Sequence, residues 1–134
     1  LYYYYMDLEK IEIFGINKTI YYNIKNNKYV ELSHHGRASM MNTMISKKAN
    51  IDWGDETFAY CDIVIWKQLK GIAYNFKSII SIGIKHGSGL CGGGGHKEDW
   101  AHYKKNDDNF EFLESIIDEK SLKFYKSWNR NSRK

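Results

Sequence analysis

Four consecutive glycines, Gly92-Gly93-Gly94-Gly95, preceded by Cys91 and closed by His96 and Lys97, are the residues whose types and spacing point most directly to chemistry. A glycine loses more backbone freedom on folding than any other residue, roughly 0.5–1 kcal/mol relative to alanine in a regular element. A run of four is therefore costly unless something must lie close to the main chain. Without side chains, successive N–H groups can converge on an anion as a nest, and a helix N-terminus behind them would add its dipole. The expected ligand is a phosphate or a carboxylate. The alternative use of such a run is a hinge between a strand and a helix.

Three other constellations compete for a chemical role. Cys91-Gly92-Gly93-Gly94-Gly95-His96 reproduces the C-G-x-x-G-H half of a retroviral-type zinc knuckle, but Ser88 and Ala101 stand where its outer cysteines belong. A structural zinc needs four closed ligands, so this set is complete only if His86, His102 or Cys61 substitutes in space. Cys91 with His96 has the residue types of a nucleophile and its base, yet no third group to orient the imidazole can be named. His34 and His35 follow the apolar Tyr29-Val30-Glu31-Leu32 and would emerge at a strand end, as metal ligands often do. Asp52, Asp55, Asp62, Asp107 and Asp108 could donate to a hard cation, but their spacing matches no compact metal loop. No metal ligand is assigned.

The elements that must position these groups read as an α/β pattern. Leu8 to Phe14 and Thr19 to Ile24 look like strands joined at Gly15-Ile16-Asn17-Lys18, with a helix over Met6 to Ile11 as the alternative. Asn26-Asn27-Lys28 predicts a turn before a short strand, Tyr29 to Leu32. Ala38 to Ile45 predicts a helix with core methionines, and Trp53-Gly54-Asp55 a turn. Asp62-Ile63-Val64-Ile65-Trp66-Lys67 and Phe76 to Ile84 are nearly unbroken apolar runs of strand length, typical of a sheet covered on both faces. Glu98 to His102 could start a short helix. Asn109 to Ile117 predicts a clearer one, with Asp108 as N-cap, Glu111 completing a capping box, and Phe110, Leu113, Ile116 and Ile117 on one face. A further helical piece carries Leu122, Phe124, Tyr125 and Trp128. The expectation is one α/β domain over residues 1–134: a central, mostly buried sheet, flanking helices, and the glycine-rich loop directly after a strand.

Around that loop the chain resembles the DHHA1 domain, the C-terminal substrate-binding part of the DHH phosphoesterases. That family includes nanoRNA hydrolases and cyclic-dinucleotide phosphodiesterases. The likeness spans about residues 62–102. Ser81 matches the first serine of the family's S-L-R-S strand, and Gly93, Gly94, Gly95 and His96 match its G-G-G-H substrate loop. The run Asp62 to Trp66 looks like the strand one hairpin earlier. Asp99-Trp100-Ala101 stands where the family has A-A-G, and Gly83 replaces its arginine. The resemblance implies that Gly93, Gly94, Gly95, His96 and Lys97 bind the phosphate of a nucleotide or short oligonucleotide. It also implies that catalysis belongs to an N-terminal DHH domain with bound Mn²⁺, outside this chain. The first residue, Leu1, fits a fragment, a processed product or a trimmed chain. Such a chain binds without cleaving.

Composition limits the alternatives. At 134 residues with a net charge of +4, the chain is mildly basic, and its charges are scattered apart from Arg130-Asn131-Ser132-Arg133-Lys134. This basic tail is either a solvated end or a nucleic-acid contact. Two cysteines, no apolar run near the ~20 residues of a membrane span, and no secretory signal point to a reducing, cytoplasmic setting away from membranes. An aromatic content of 16% also suits a small, non-enzymatic interaction module of phage or mobile-element type. A third reading is a small metal-dependent nuclease built from His34, His35, His96 and nearby acids.

Overall fold

The computed structural model describes residues 10–53, 61–76, 81–86, 97 and 99–132. The tyrosine run, Gly54-Asp55, and Cys91 to His96 with its four glycines lie outside the described residues. The class is α/β, with two mixed sheets and three helices among the described residues. The elements are β1 (Ile13–Ile16), β2 (Lys18–Asn23), β3 (Lys28–Ser33), β4 (Thr43–Ile45), α1 (Cys61–Gln68), β5 (Gly71–Tyr74), β6 (Ile82–Lys85), β7 (Lys105–Asn106), α2 (Glu111–Glu114) and α3 (Glu119–Ser132). Two compact units result, one of Leu1–Thr19 with Leu32–Ser81, the other of Ile20–Glu31 with Ile82–Lys134.

In the first unit, β1 is the middle strand of the order β4-β1-β5, antiparallel to β4 and parallel to β5. Side chains alternate across a strand, so the register puts Ile13, Gly15, Ile45 and Ala73 on one face and Phe14, Met44, Ile72 and Tyr74 on the other. The first face builds the core with Ala38, Ile65, Trp66 and Leu69. Each fully buried Ile there contributes on the order of 1.5–3 kcal/mol.

Two expectations fail in this unit, each for a physical reason. Asp62 to Lys67 forms helix α1 rather than a strand, which also removes the comparison of this run with a DHHA1 strand. Ile65, Trp66 and Leu69 are buried, at helical spacing, while Lys67 is exposed. Asp62 in the first turn and Lys67 in the last suit the helix dipole. The β-branched run alone cannot distinguish the two periods. The helix expected over Ala38 to Ile45 is a single 3₁₀ turn, Met40–Asn42, leading into β4. Thr43 and Ile45 favour extended backbone, and Thr43 is held by donating to the Ser39 carbonyl (2.8 Å) while accepting from Trp66 Nε1 (3.1 Å). The join expected at Gly15 to Lys18 is narrower than that stretch, since Gly15 and Ile16 belong to β1 and Lys18 to β2. Only Asn17 separates β1 from β2, its N–H bonded to the Tyr74 carbonyl (3.1 Å) and its carbonyl to the His34 N–H (2.9 Å).

The four-stranded sheet has the order β6-β2-β3-β7. Strands β2 and β3 are joined by residues 24–27 alone, where the expected turn occurs, with Asn27 in the left-handed region at φ 53° that asparagine tolerates. Strand β3 covers the expected Tyr29 to Leu32. Of the run Phe76 to Ile84, β6 takes Ile82 onward and pairs parallel with β2, Ile20 opposite Ile82 and Asn23 opposite Lys85. Behind this sheet, Tyr22, Ile24, Leu113 and Leu122 form the second core, joined by Tyr29, Phe112, Tyr125 and Trp128. The Tyr29 and Phe112 rings stack at 3.7 Å.

The helix expected over Asn109 to Ile117 is one turn, α2, and Asp108 is not its cap. Phe110 precedes it in the left-handed region, φ 63°, and the neighbouring Asp107 accepts the amides of Phe112 (2.9 Å) and Leu113 (3.0 Å). Of Glu98 to His102, Asp99, Ala101 and His102 are turn residues, and no helix forms among those described.

Candidate functional site

The site grows from the carboxyl ends of two parallel strands in the second unit. Where β2 ends, the Ile24 N–H donates to the Lys85 carbonyl at the end of β6 (3.0 Å), so the two strand ends finish level. Parallel strand ends are where open α/β sheets usually bind ligands, because the chain leaves the sheet there. A groove of about 280 Å³ opens at this point, lined by Ile24, Ile84, His86, Phe124, Tyr125 and Trp128. It lies near the lower limit of small-molecule pockets, ~300–1,000 Å³, with room for one planar ring system.

Helix α3 forms the groove's aromatic wall. Leu122 and Tyr125, three residues apart, turn one face to the core, while Phe124 remains 60% exposed. The Phe124 and Tyr125 rings meet edge to face at 5.2 Å, and the His86 imidazole meets Trp128 in the same manner at 6.1 Å. The helix carries Lys120, Lys123, Lys126 and Arg130 against one acid, Glu119. Lys120 and Lys123 are exposed, and Lys120 stands one turn before Phe124. On the strand side, the Lys85 ammonium lies over the Tyr21 ring at 4.6 Å.

Lys97 is exposed, and its carbonyl accepts the Trp100 N–H at 3.4 Å. Trp100 packs edge-on against Tyr21, His102 and Tyr103. Gly93, Gly94, Gly95 and His96 lie outside the described residues, as does Cys91. Cys61 is the first residue of α1.

The paired histidines of the first unit part company. His35 is exposed, whereas His34 Nε2 is buried without a hydrogen-bond partner. Burial lowers the His34 pKa below its usual 6.5, and the nearby Arg37 charge lowers it further, against an opposing effect of Asp62. Arg37 and Asp62 form a partly buried ion pair. Among the described residues, no group of three His, Cys, Asp or Glu side chains could hold a metal. Nor is any helix among them long and apolar enough to cross a membrane.

No protein-family model matches this sequence, and neither a curated protein nor a solved structure matches it. Sequence reasoning found Phe124, Tyr125 and Trp128 as helical residues without seeing them as a site. The available signal was three aromatics interleaved with Lys120, Lys123 and Lys126, a pattern of stacking surfaces beside cations.

Proposed function

We propose that this chain is a binding domain for a nucleotide phosphate or short oligonucleotide, with Gly93, Gly94, Gly95, His96 and Lys97 holding phosphate. The observation that carries this reading is the direction of β6, which runs parallel to β2 so that the segment leading to the glycines departs from a carboxyl strand end. Backbone amides and the Lys97 ammonium supply the hydrogen bonds and charge that a phosphate requires. The likeness to the DHHA1 substrate loop supports the same ligand class. On that reading, phosphodiester cleavage and its Mn²⁺ belong to a DHH-type catalytic domain, and this chain binds without cleaving. A cytoplasmic setting, where Cys61 and Cys91 remain reduced, belongs to the same proposal. The test is a titration of a nucleoside monophosphate and a short oligonucleotide against the protein and its Gly94→Val variant. Tighter binding by the parent is expected; equal affinity in both, or none in either, sinks the phosphate role of the glycines.

A specific observation favours a second reading, a non-enzymatic interaction module. On the face of the three-stranded sheet that includes Phe14, Met44 is 53% exposed and Tyr74 45%. Such side chains anchor protein interfaces. Capture of a defined protein partner by the parent but not by Met44→Lys, with nucleotides ignored by both, would favour this reading over the first.

A further inference from the structure

We infer that the groove at the ends of β2 and β6 is a base-stacking subsite for single-stranded nucleic acid, with the backbone running along the exposed lysines of α3. This rests on the oligonucleotide-binding reading above and adds a distinct place on the second unit where a base is recognised.

Three observations select this occupant. The groove is lined by ring and aliphatic surfaces, His86 among them, and its volume of about 280 Å³ suits a single planar ring. Phe124 leaves 60% of its surface exposed at the groove's wall, although Tyr125 beside it is half-buried against the core. An exposed ring beside a ring-sized groove can support the π-face of any base, and such stacking is sequence-tolerant. The third is charge complementarity. Lys120 and Lys123 are exposed on the same helix, one turn and one residue before Phe124, so phosphates flanking a stacked base would meet ammonium groups. An acidic amphipathic peptide would match the cations as well, but a helical occupant needs a row of apolar anchors. The groove offers space for one ring.

The experiment is fluorescence anisotropy of labelled decathymidine across a salt series, using the full chain and three variants. Phe124→Ala truncates an exposed ring, so the fold is expected to persist, with an unchanged circular dichroism spectrum as the check. This variant should weaken binding roughly 5- to 150-fold, the loss expected for one stacked base. The double variant Lys120→Ala/Lys123→Ala should flatten the dependence of log affinity on log salt by about 0.7 per phosphate contact removed. Gly94→Val separates this subsite from the proposed phosphate role of the glycines. If Gly94→Val behaves as the parent toward every ligand while Phe124→Ala still loses decathymidine, the glycine role fails and the groove stands. If Phe124→Ala binds decathymidine as tightly as the parent, or the parent does not bind it at low salt, the subsite is overturned. Phe124-dependent binding of an acidic amphipathic peptide, with decathymidine ignored, would overturn it in favour of a protein partner.

Discussion

Tyr22 donates its phenolic hydrogen to Asp107 Oδ2 at 2.9 Å, joining positions 85 residues apart in the sequence. Both residues are buried, and the same carboxylate accepts the amides of Phe112 and Leu113 at the start of α2. One acid therefore fastens the end of β2 to a helical turn distant in the chain. Tyr22→Phe should destabilise the protein by about 1.5–3 kcal/mol, the usual range for a hydrogen bond to a charged group. Asp107→Ala should cost more, since it also strands two amides. A double-mutant cycle in urea should give a coupling energy between the two sites. Burial, followed by the Asp107 contact, pushes the Tyr22 pKa far above the usual 10, so Tyr22→Phe should leave the alkaline phenolate titration below pH 12 unchanged.

Gly15 is required for space. A Cβ there would lie 2.5 Å from Ala38 Cβ, 2.8 Å from Trp66 Cζ2 and 2.9 Å from the Asn42 carbonyl. Gly15→Ala should destabilise by about 1–3 kcal/mol, the range for an overpacked core. Adding Ala38→Gly removes the nearest of these contacts and should restore part of the loss. Urea midpoints of the parent, both single variants and the double would measure the rescue.

The difference between what could and could not be read in the sequence follows from the range of the forces involved. The Asn27 turn, β3 and the amphipathic α3 were legible because their signals are local: paired asparagines at the turn, Tyr29-Val30 directly after it, and Leu122 and Tyr125 one turn apart. Helix α1 was not, because Ile63-Val64-Ile65 satisfies both periods until Ala38 and Ile13 select the face carrying Ile65 and Trp66. The cap at Asp107 was missed by one residue because Phe110 takes a left-handed conformation that no local rule favours for phenylalanine. The groove depends on two strand ends finishing level, a relationship between Ile24 and Lys85 that exists only once β2 and β6 have paired.

His34 should make the first unit sensitive to acid. Its folded pKa lies below the usual 6.5, burial being the main cause and Arg37 the next, so between the two values the unfolded chain binds the proton more readily. The contribution is fully present above about pH 6.5 and is lost as the pH falls through the folded pKa. The urea midpoint of the parent should therefore fall more steeply below pH 6.5 than that of His34→Gln. Arg37→Ala, which removes the second cause and leaves burial opposed by Asp62, should raise the His34 pKa in an NMR titration. An unchanged or lowered value would refute the assigned charge effect.

Asp118 should control the helix that carries the groove's aromatic wall. Its Oδ1 accepts the Ser121 amide at 3.0 Å and its Oδ2 the Ser121 hydroxyl at 2.6 Å, the geometry of an N-cap immediately before Glu119. The Ser121 hydroxyl is the largest cause holding the Asp118 pKa below its usual 3.8, followed by the Ser121 amide. This stabilisation is present above about pH 3.8 and is lost as acid protonates the carboxylate. Asp118→Ala should fray the first turn of α3, reduce helical ellipticity and lower the thermal midpoint at pH 7, with the gap from the parent narrowing at low pH. Because Lys120 and Lys123 sit in that first turn and a half, the variant should also weaken decathymidine binding at low salt more than at high salt, although Phe124 is intact. Loss of ellipticity without any change in the salt dependence would separate the helix start from the proposed phosphate contacts.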